Sequence, residues 1–245
     1  MNLAFSALLG LIQGLTEFLP VSSSGHLVLA QSIIPGFSQP GVLFDVVLHM
    51  GTLLAVLIYF KKKILSFTKN YLSLLVVGTI PAILAALVFG DWLEGLFSSA
   101  SATAYQLIIT GVLNIAVDFI PKGVGDLTLK NSFLVGIAQA VSIIPGISRS
   151  GATIFTGVAA KVSRAKVAEY SFLLSVPAIA GAMVYQLAKY GGESIGSPAP
   201  YLLGFLISAV VGYFSINLVF KLLLKRHFKY FGVYAILLGL GFLLI

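Results

Sequence analysis

The chain has 245 residues, 58% of them hydrophobic and only 9% charged, and its mean hydropathy is +1.04. That composition excludes an ordinary soluble domain, in which about a quarter of residues are charged. The lack of cysteine excludes disulfides, thiolate chemistry and Cys-ligated metals, and where the cations behind the formal charge of +7 sit argues against nucleic acid as a partner.

The first element is an interrupted one. Residues 3–18 and 23–34 flank Pro20, and the connecting segment reads Gln13-Gly-Leu-Thr-Glu17-Phe-Leu-Pro20-Val-Ser22-Ser23-Ser24-Gly25-His26. Glu17 falls where the apolar core or cleavage site of a signal peptide would be, and no basic segment precedes it, so this is not read as a leader. Apolar runs of spanning length follow at 43–60, 71–90 and 103–120. A second interrupted element spans 132–160, with Gln139, Pro145, Ser148-Arg149-Ser150-Gly151 and Thr153 between its two short pieces. Further runs lie at 168–189, 201–220 and 230–245. The piece 23–34 reaches only about 18 Å at 1.5 Å per residue, short of a hydrocarbon core of roughly 30 Å.

The cations choose the topology. If 3–34 and 132–160 are re-entrant hairpins, the six apolar runs are the only crossings. Lys61, Lys62, Lys63, Lys69, Lys122, Lys130, Lys161, Arg164, Lys166, Lys221, Lys225, Arg226 and Lys229 then share one face, thirteen of the fifteen cations. Lys189 lies opposite and Arg149 lies inside the second hairpin. A crossing by 132–160 would instead split the cations seven against seven. The hairpin arrangement puts both termini and the acidic loop Asp91–Ser101 outside. The first hairpin opens outward and the second inward, so their tips meet near the midplane.

The halves also match each other. Each has a broken hairpin with Pro and Ser-x-Ser-Gly, then an acid (Asp45 or Glu169) and a long apolar run. The expected fold is therefore an all-α polytopic membrane protein in one domain, residues 1–245. It has an inverted-topology repeat (about 1–120 and 130–245), six full transmembrane helices and two re-entrant broken-helix hairpins. Broken helices inside a membrane are tolerated where protein or water satisfies them, and in inverted repeats they mark a binding site.

Each serine cluster stands where a helix begins. Serine caps such ends, and the free N–H groups with the helix dipole suit an anion. Arg149 adds a guanidinium that can grip phosphate bidentately, at a depth where an unpaired charge is costly. The expected phosphate-binding set is Ser22, Ser24, Gly25, Ser148, Arg149, Ser150, Gly151 and Thr153. Gln13 and Glu17 are four apart on one helix face. Glu17 can be a general base, a divalent-metal ligand with Gln13, or the counter-ion of Arg149. His26 can move protons or attack phosphorus, and Ser23 with His26 and Glu17 forms a nucleophile-activation set. Asp45 and Glu169 read as helix caps, His49 lies one turn after Asp45, Asp118 is expected to pair with Lys122, and His227 in Lys225–Lys229 reads as an interfacial anchor.

These motifs resemble those of the undecaprenyl pyrophosphate phosphatase, or bacitracin-resistance, family. Its (Glu/Gln)-x-x-x-Glu, Pro-x-Ser-Ser-x-Gly-His and Pro-Gly-x-Ser-Arg-Ser-Gly-Ala-Thr elements stand here as Gln13–Glu17, Pro20–His26 and Pro145–Thr153. The resemblance covers nearly the whole chain. It implies hydrolysis of undecaprenyl diphosphate to undecaprenyl phosphate and inorganic phosphate, which recycles the lipid carrier for peptidoglycan and counters bacitracin. It implies Glu17, Ser23, His26 and Arg149 as active residues, a divalent cation (Mg²⁺ or Ca²⁺), and a site facing the outer side of the cytoplasmic membrane. Many members have Glu where this chain has Gln13, which leaves a two-carboxylate metal site in doubt here. Partners expected are the polyprenyl diphosphate and membrane lipids, with a homodimer open and no nucleic acid. The type 2 phosphatidic acid phosphatases share fragments, but no histidine follows Arg149 until His227 and there is no Lys-x₆-Arg-Pro element. The rival class is a flippase or anion transporter, which the broken-helix plan suits equally.

Overall fold

The computed structural model describes residues 2–39, 41–190, 196–224 and 227–244. Within them lie eleven helices and no named strand: α1 Leu3–Thr16, α2 Ser23–Ser32, α3 Leu43–Tyr59, α4 Lys61–Leu65, α5 Lys69–Leu96, α6 Ala100–Phe119, α7 Leu129–Val141, α8 Arg149–Ala159, α9 Arg164–Tyr190, α10 Ala199–Leu224 and α11 Phe228–Leu243. The protein is all-helical, and α5, α6, α9 and α10 are long and apolar enough to cross a membrane. The expected runs at 43–60 and 230–245 form α3 and α11, of 17 and 16 residues. The first of these stops at Phe60, and Lys61–Leu65 continues as the separate short helix α4. Hydropathy extends a span up to a charged cluster without showing that the backbone has already turned.

Polar caps set most of the helix starts. Asn2, Thr68, Ser99 and Thr128 each accept from an N–H in the first turn of the helix that follows. Ser22 does this for α2 and Ser148 for α8, accepting from Gly25 and Gly151 at 3.2 and 3.1 Å. Ser22 adopts φ +65° to do so, a left-handed conformation that a non-glycine residue takes only when its surroundings impose it.

Small residues let the long helices touch. Helix α1 packs on α10, α5 on α7 and α6 on α11. A Cβ at Gly136 would stand 2.5 Å from the Gly78 carbonyl oxygen, and one at Gly232 would stand 2.6 Å from that of Gly111. Such close backbone approach is how helices associate where no hydrophobic force separates them from lipid. Hydroxyls tie further interfaces, α9 to α5 and α10 to α3: Tyr170 Oη donates to the Leu74 carbonyl at 2.7 Å, and Ser208 Oγ to that of Leu48 at 2.8 Å.

The main core gathers Phe18, Val56, Ile154, Tyr170 and Phe172, with Phe18 and Phe172 edge to face at 5.5 Å. A smaller core of Leu9, Leu27, Phe44 and Leu48 ties α1 and α2 to α3.

Three side-chain expectations are corrected. Asp118 pairs with Arg164 at 3.2 Å and accepts from the Lys229 N–H at 2.9 Å, rather than pairing with Lys122; α6 ends at Phe119 and carries Lys122 out of reach. Asp45 does not cap α3, because the Gln39 side chain takes the N–H groups of Phe44 and Asp45. Glu169 likewise makes an ion pair with Lys63 at 3.0 Å. Of the basic 225–229 cluster, Lys225 and Arg226 lie outside the described residues, and the His227 ring lies beside Tyr230.

Candidate active site

Two turns meet at the centre of the fold, one between α1 and α2 and one between α7 and α8. A Cβ at Gly25 would come within 2.9 Å of Gly146 Cα, so the two turns touch through their glycines. Gly146 itself has φ +92°, which favours glycine. Ser150 Oγ donates to the Leu19 carbonyl at 3.0 Å, joining the second turn to the first. Helix α6 braces both. Thr110 Oγ1 donates to the Gly146 carbonyl at 2.7 Å and accepts from the Ser148 N–H at 2.9 Å, while Asn114 Nδ2 donates to the Pro20 carbonyl.

Glu17 is the hub. It sits at the C-cap of α1, and its carboxylate is 4% exposed. One oxygen pairs with Arg149 Nη2. The other accepts from Ser23 Oγ at 2.6 Å and from Gln13 Nε2 at 2.9 Å, and lies 3.4 Å from His49 Nε2. The short Ser23 bond is charge-assisted. Arg149 keeps a second anchor, donating from Nη1 to the Ser171 carbonyl at 3.1 Å. Thr153 Oγ1, at 2.7 Å from Ser171 Oγ, locks that neighbour in place.

The structure thus brings Gln13, Glu17, Ser23 and Arg149 together. It places His26 elsewhere. His26 Nδ1 donates to the Ser22 carbonyl at 2.7 Å, and its Nε2 meets Tyr234 Oη at 2.8 Å with the rings stacked. The expected Ser23–His26 contact is not formed; Ser23 donates to Glu17 instead. The serine hydroxyls of the phosphate-binding set are largely engaged locally. Ser22 and Ser148 cap, each 3.3 Å from its neighbour Ser24 or Ser150, and Thr153 Oγ1 also reaches the Arg149 carbonyl at 2.7 Å. What α2 and α8 present to a ligand is backbone: the first N–H groups, on Ser23–Ser24 and Arg149–Ser150, have no place in the helical ladder.

A cavity of about 500 Å³ opens from this cluster. Its apex is Glu17, Ser23, Ser148 and Arg149, with Asp45 and His49 beside it. Its walls are Ala82, Ile83, Ala86 and Leu87 of α5 and Pro177, Ile179 and Ala182 of α9, and its far end holds Glu94 and Gln186. Ile83 and Leu87 of α5 and Val184 of α9 line it and are all exposed rather than packed away, so the cavity is open along the walls formed by α5 and α9.

The donor set can be tested against a divalent cation. Among the described residues no group of three or more His, Cys, Asp or Glu side chains could hold one, so an all-protein cage does not fit. Gln13 Oε1 is buried without a partner, but Gln13 turns Nε2 rather than Oε1 to the Glu17 carboxylate and does not line the cleft. Of the two, Glu17 is the hard oxygen donor at the apex, of the kind that binds Mg²⁺ or Ca²⁺ when substrate phosphates complete the shell.

Sequence reasoning named His49 without giving it a role and missed several other members. His49, Thr52 (3.3 Å from Gln13 Nε2), Thr110, Asn114, Ser171 and Tyr234 all touch this cluster or its supports. Thr110 and Asn114 are four apart in an otherwise apolar run, and intramembrane polar residues on one helix face are a usable signal.

Fold and site together define a polytopic helical membrane protein whose buried polar centre lies at the contact of two short helix pairs and opens through an apolar cleft. The chain belongs to the bacitracin resistance protein BacA family, whose pattern it matches over residues 6–241. It is 40% identical to undecaprenyl-diphosphatase 4 of Bacillus thuringiensis subsp. konkukian, a match covering 100% of this chain and 97% of the relative. Undecaprenyl-diphosphatase of Syntrophotalea carbinolica is also 40% identical, over 98% of this chain and 97% of its own. That of Carboxydothermus hydrogenoformans is 39% identical, over 100% and 98%.

Proposed function

We propose that this protein hydrolyses undecaprenyl diphosphate to undecaprenyl phosphate and inorganic phosphate, recycling the lipid carrier and conferring bacitracin resistance. The observation that carries the proposal is Ser23 Oγ at 2.6 Å from a carboxylate that also pairs with Arg149, at the apex of an apolar-walled cleft. A carrier needs charge complementarity but no nucleophile, and a serine hydroxyl aimed at a buried base is a nucleophile's arrangement.

The polyprenyl tail enters between α5 and α9, and the diphosphate lies at the apex. Ser23 Oγ attacks the terminal phosphorus and its proton passes to Glu17. The bond from that phosphorus to the bridging oxygen breaks, and the electron pair leaves with the lipid phosphate. Arg149 and the free N–H groups of α2 and α8 carry the charge that develops on the phosphoryl oxygens. Glu17 gives the Ser23 proton to the departing lipid phosphate, then takes one from water as the water oxygen attacks the phosphoseryl phosphorus, and returns it to Ser23 Oγ as phosphate leaves. A divalent cation bound with the substrate would be held by Glu17, and would supply charge neutralisation of the diphosphate. His26 supports the site by fixing α2 against Tyr234 of α11.

The fold is read as an inverted repeat with α1–α2 and α7–α8 as re-entrant hairpins. Its support is the packing: α1 on α10 corresponds to α7 on α5, while α3 with α9 and α6 with α11 are each other's counterparts. The site faces the outer side of the cytoplasmic membrane. The cleft ends at Glu94, on the end of the bundle where Asp91 and Lys189 also lie, opposite the lysine-rich face.

The test is phosphate release from a polyprenyl diphosphate by detergent-purified protein, with Mg²⁺ or Ca²⁺ and with chelator. Turnover that collapses in Ser23→Ala and Arg149→Ala and needs the cation is the expected result. Lipid binding without turnover under every condition would leave a carrier.

A further inference from the structure

Gln139 is the one member of the second motif that the mechanism above leaves idle. It lies on the last turn of α7, only 2% exposed, and neither Nε2 nor Oε1 has a hydrogen-bond partner. It lines the cleft. A buried amide with both ends unpaired is costly and calls for a reason.

Comparison with Gln13 supplies the reason. Gln13 holds the matching place on α1, and its Nε2 is satisfied by Glu17, four residues on, and by Thr52. Four residues after Gln139 stands Ile143, which offers no acceptor. The two motifs share the glutamine and differ in the acid, so the second amide is left for a ligand.

Its position says which part of the ligand. One turn earlier, Gly136 packs against Gly78, which sets Gln139 facing the following turn of α5, where Ala82 and Ile83 begin the apolar wall. On its other side Ser142, Ile147 and Ser148 lead to Arg149 at the apex. Gln139 therefore lies between the place of the terminal phosphoryl group and the place of the tail.

We propose that Gln139 binds the phosphoryl group that stays on the lipid, as a leaving-group subsite. The assignment rests on the phosphatase reading above. The chemistry matches: Nε2–H donates to a phosphoryl oxygen, and Oε1 accepts from the P–OH of a singly protonated lipid monophosphate. Inorganic phosphate, held at the apex by Arg149, would not use it.

The experiment compares Gln139→Leu and Gln139→Glu with wild type in three readouts: binding of polyprenyl monophosphate, binding of inorganic phosphate, and apparent Tm. Gln139→Leu should weaken the lipid monophosphate about tenfold, the loss of one hydrogen bond to a charged group. Inorganic phosphate should bind within about twofold of wild type, and Tm should hold or rise because an unpaired buried amide has gone. Gln139→Glu should weaken the lipid monophosphate further by like-charge repulsion. An unchanged affinity for lipid monophosphate, or a lower Tm with both ligands weakened alike, would overturn the assignment in favour of a packing role. Wild-type turnover is the control that separates the failures. Without it the phosphatase reading falls and this subsite with it; with it, an unchanged affinity sinks Gln139 alone.

Discussion

Arg149 and Glu17 form an ion pair whose side chains are 16% and 4% exposed, and removing one partner should hurt stability more than removing both. A single change, Glu17→Gln or Arg149→Met, leaves a charge in a low-dielectric site without its counter-ion, which costs about 3–5 kcal/mol. For a chain of this size each kcal/mol is worth about 2–4 °C, so each single variant should melt roughly 6–20 °C below wild type. The double variant buries no unpaired charge and should recover most of that loss. Activity should not follow. In Glu17→Gln, the second anchor of Arg149 on the Ser171 carbonyl keeps the guanidinium placed, yet an amide cannot take the Ser23 proton. In the double variant the phosphoryl oxygens have also lost their cation. All three variants should therefore fall by at least about 10²-fold in phosphate release. The assay is thermal unfolding in detergent beside initial rates on one substrate. Additive destabilisation in the double variant would refute the buried-pair argument, and activity returning with stability would show the pair to be structural rather than catalytic.

Ser23→Ala should abolish turnover while lowering stability by only about 1.5–3 kcal/mol, the cost of one hydrogen bond to a charged group, read as a modest fall in Tm with lipid binding retained. Asn114→Leu and Thr110→Val touch no substrate, but they free the Pro20 and Gly146 carbonyls; each should cost about 1–3 kcal/mol and about 10- to 100-fold in kcat, with a smaller change in KM. Tyr234→Phe removes only the hydroxyl that meets His26, and it should reproduce part of the activity loss of His26→Ala if His26 acts by holding α2. Gln13→Glu places a second carboxylate against Glu17. Its Tm should fall in chelator and recover with Mg²⁺ or Ca²⁺ more steeply than that of wild type, as seen by melting across a cation titration.

The broken elements were legible because Pro20 with Ser22–Gly25 and Pro145 with Ser148–Gly151 interrupt apolar chain at matching places in the two halves. The predicted pieces 3–18 and 23–34 appear as α1 and α2, and the interrupted element 132–160 as α7 and α8, within a few residues. Composition also located every long helix. Three things stayed hidden. Periodicity is silent on α4, since Lys61–Lys63 ends the apolar run whether or not the helix continues. Which hydroxyl faces which acid depends on the turn between Glu17 and Ser23, and Ser22 at φ +65° rotates Ser23 toward Glu17 in a way that no spacing rule supplies. Pairings across the fold, such as His26 with Tyr234 or Asn114 with Pro20, join residues 208 and 94 positions apart and follow only from tertiary packing.

Charge balance explains why such a site would need a cation without building a cage for one. Arg149 and Glu17 neutralise each other, so the resting apex carries little net charge at a depth where net charge is expensive. A diphosphate arrives with two or more negative charges. Arg149 can share itself with the terminal phosphoryl group, but Glu17 then faces an anion; at about 4 Å and an effective dielectric of 20 that repulsion is about 4 kcal/mol. Helix N-termini offset part of it, at about 0.3–1 kcal/mol each when exposed and up to ~2 in buried geometry. A divalent charge entering with the substrate would remove the remainder. A chain with Gln13 in place of a second carboxylate would depend on that arrangement more than one with two acids, because the Arg149–Glu17 pair already balances its own charge, and its cation affinity would belong to the complex rather than to the protein.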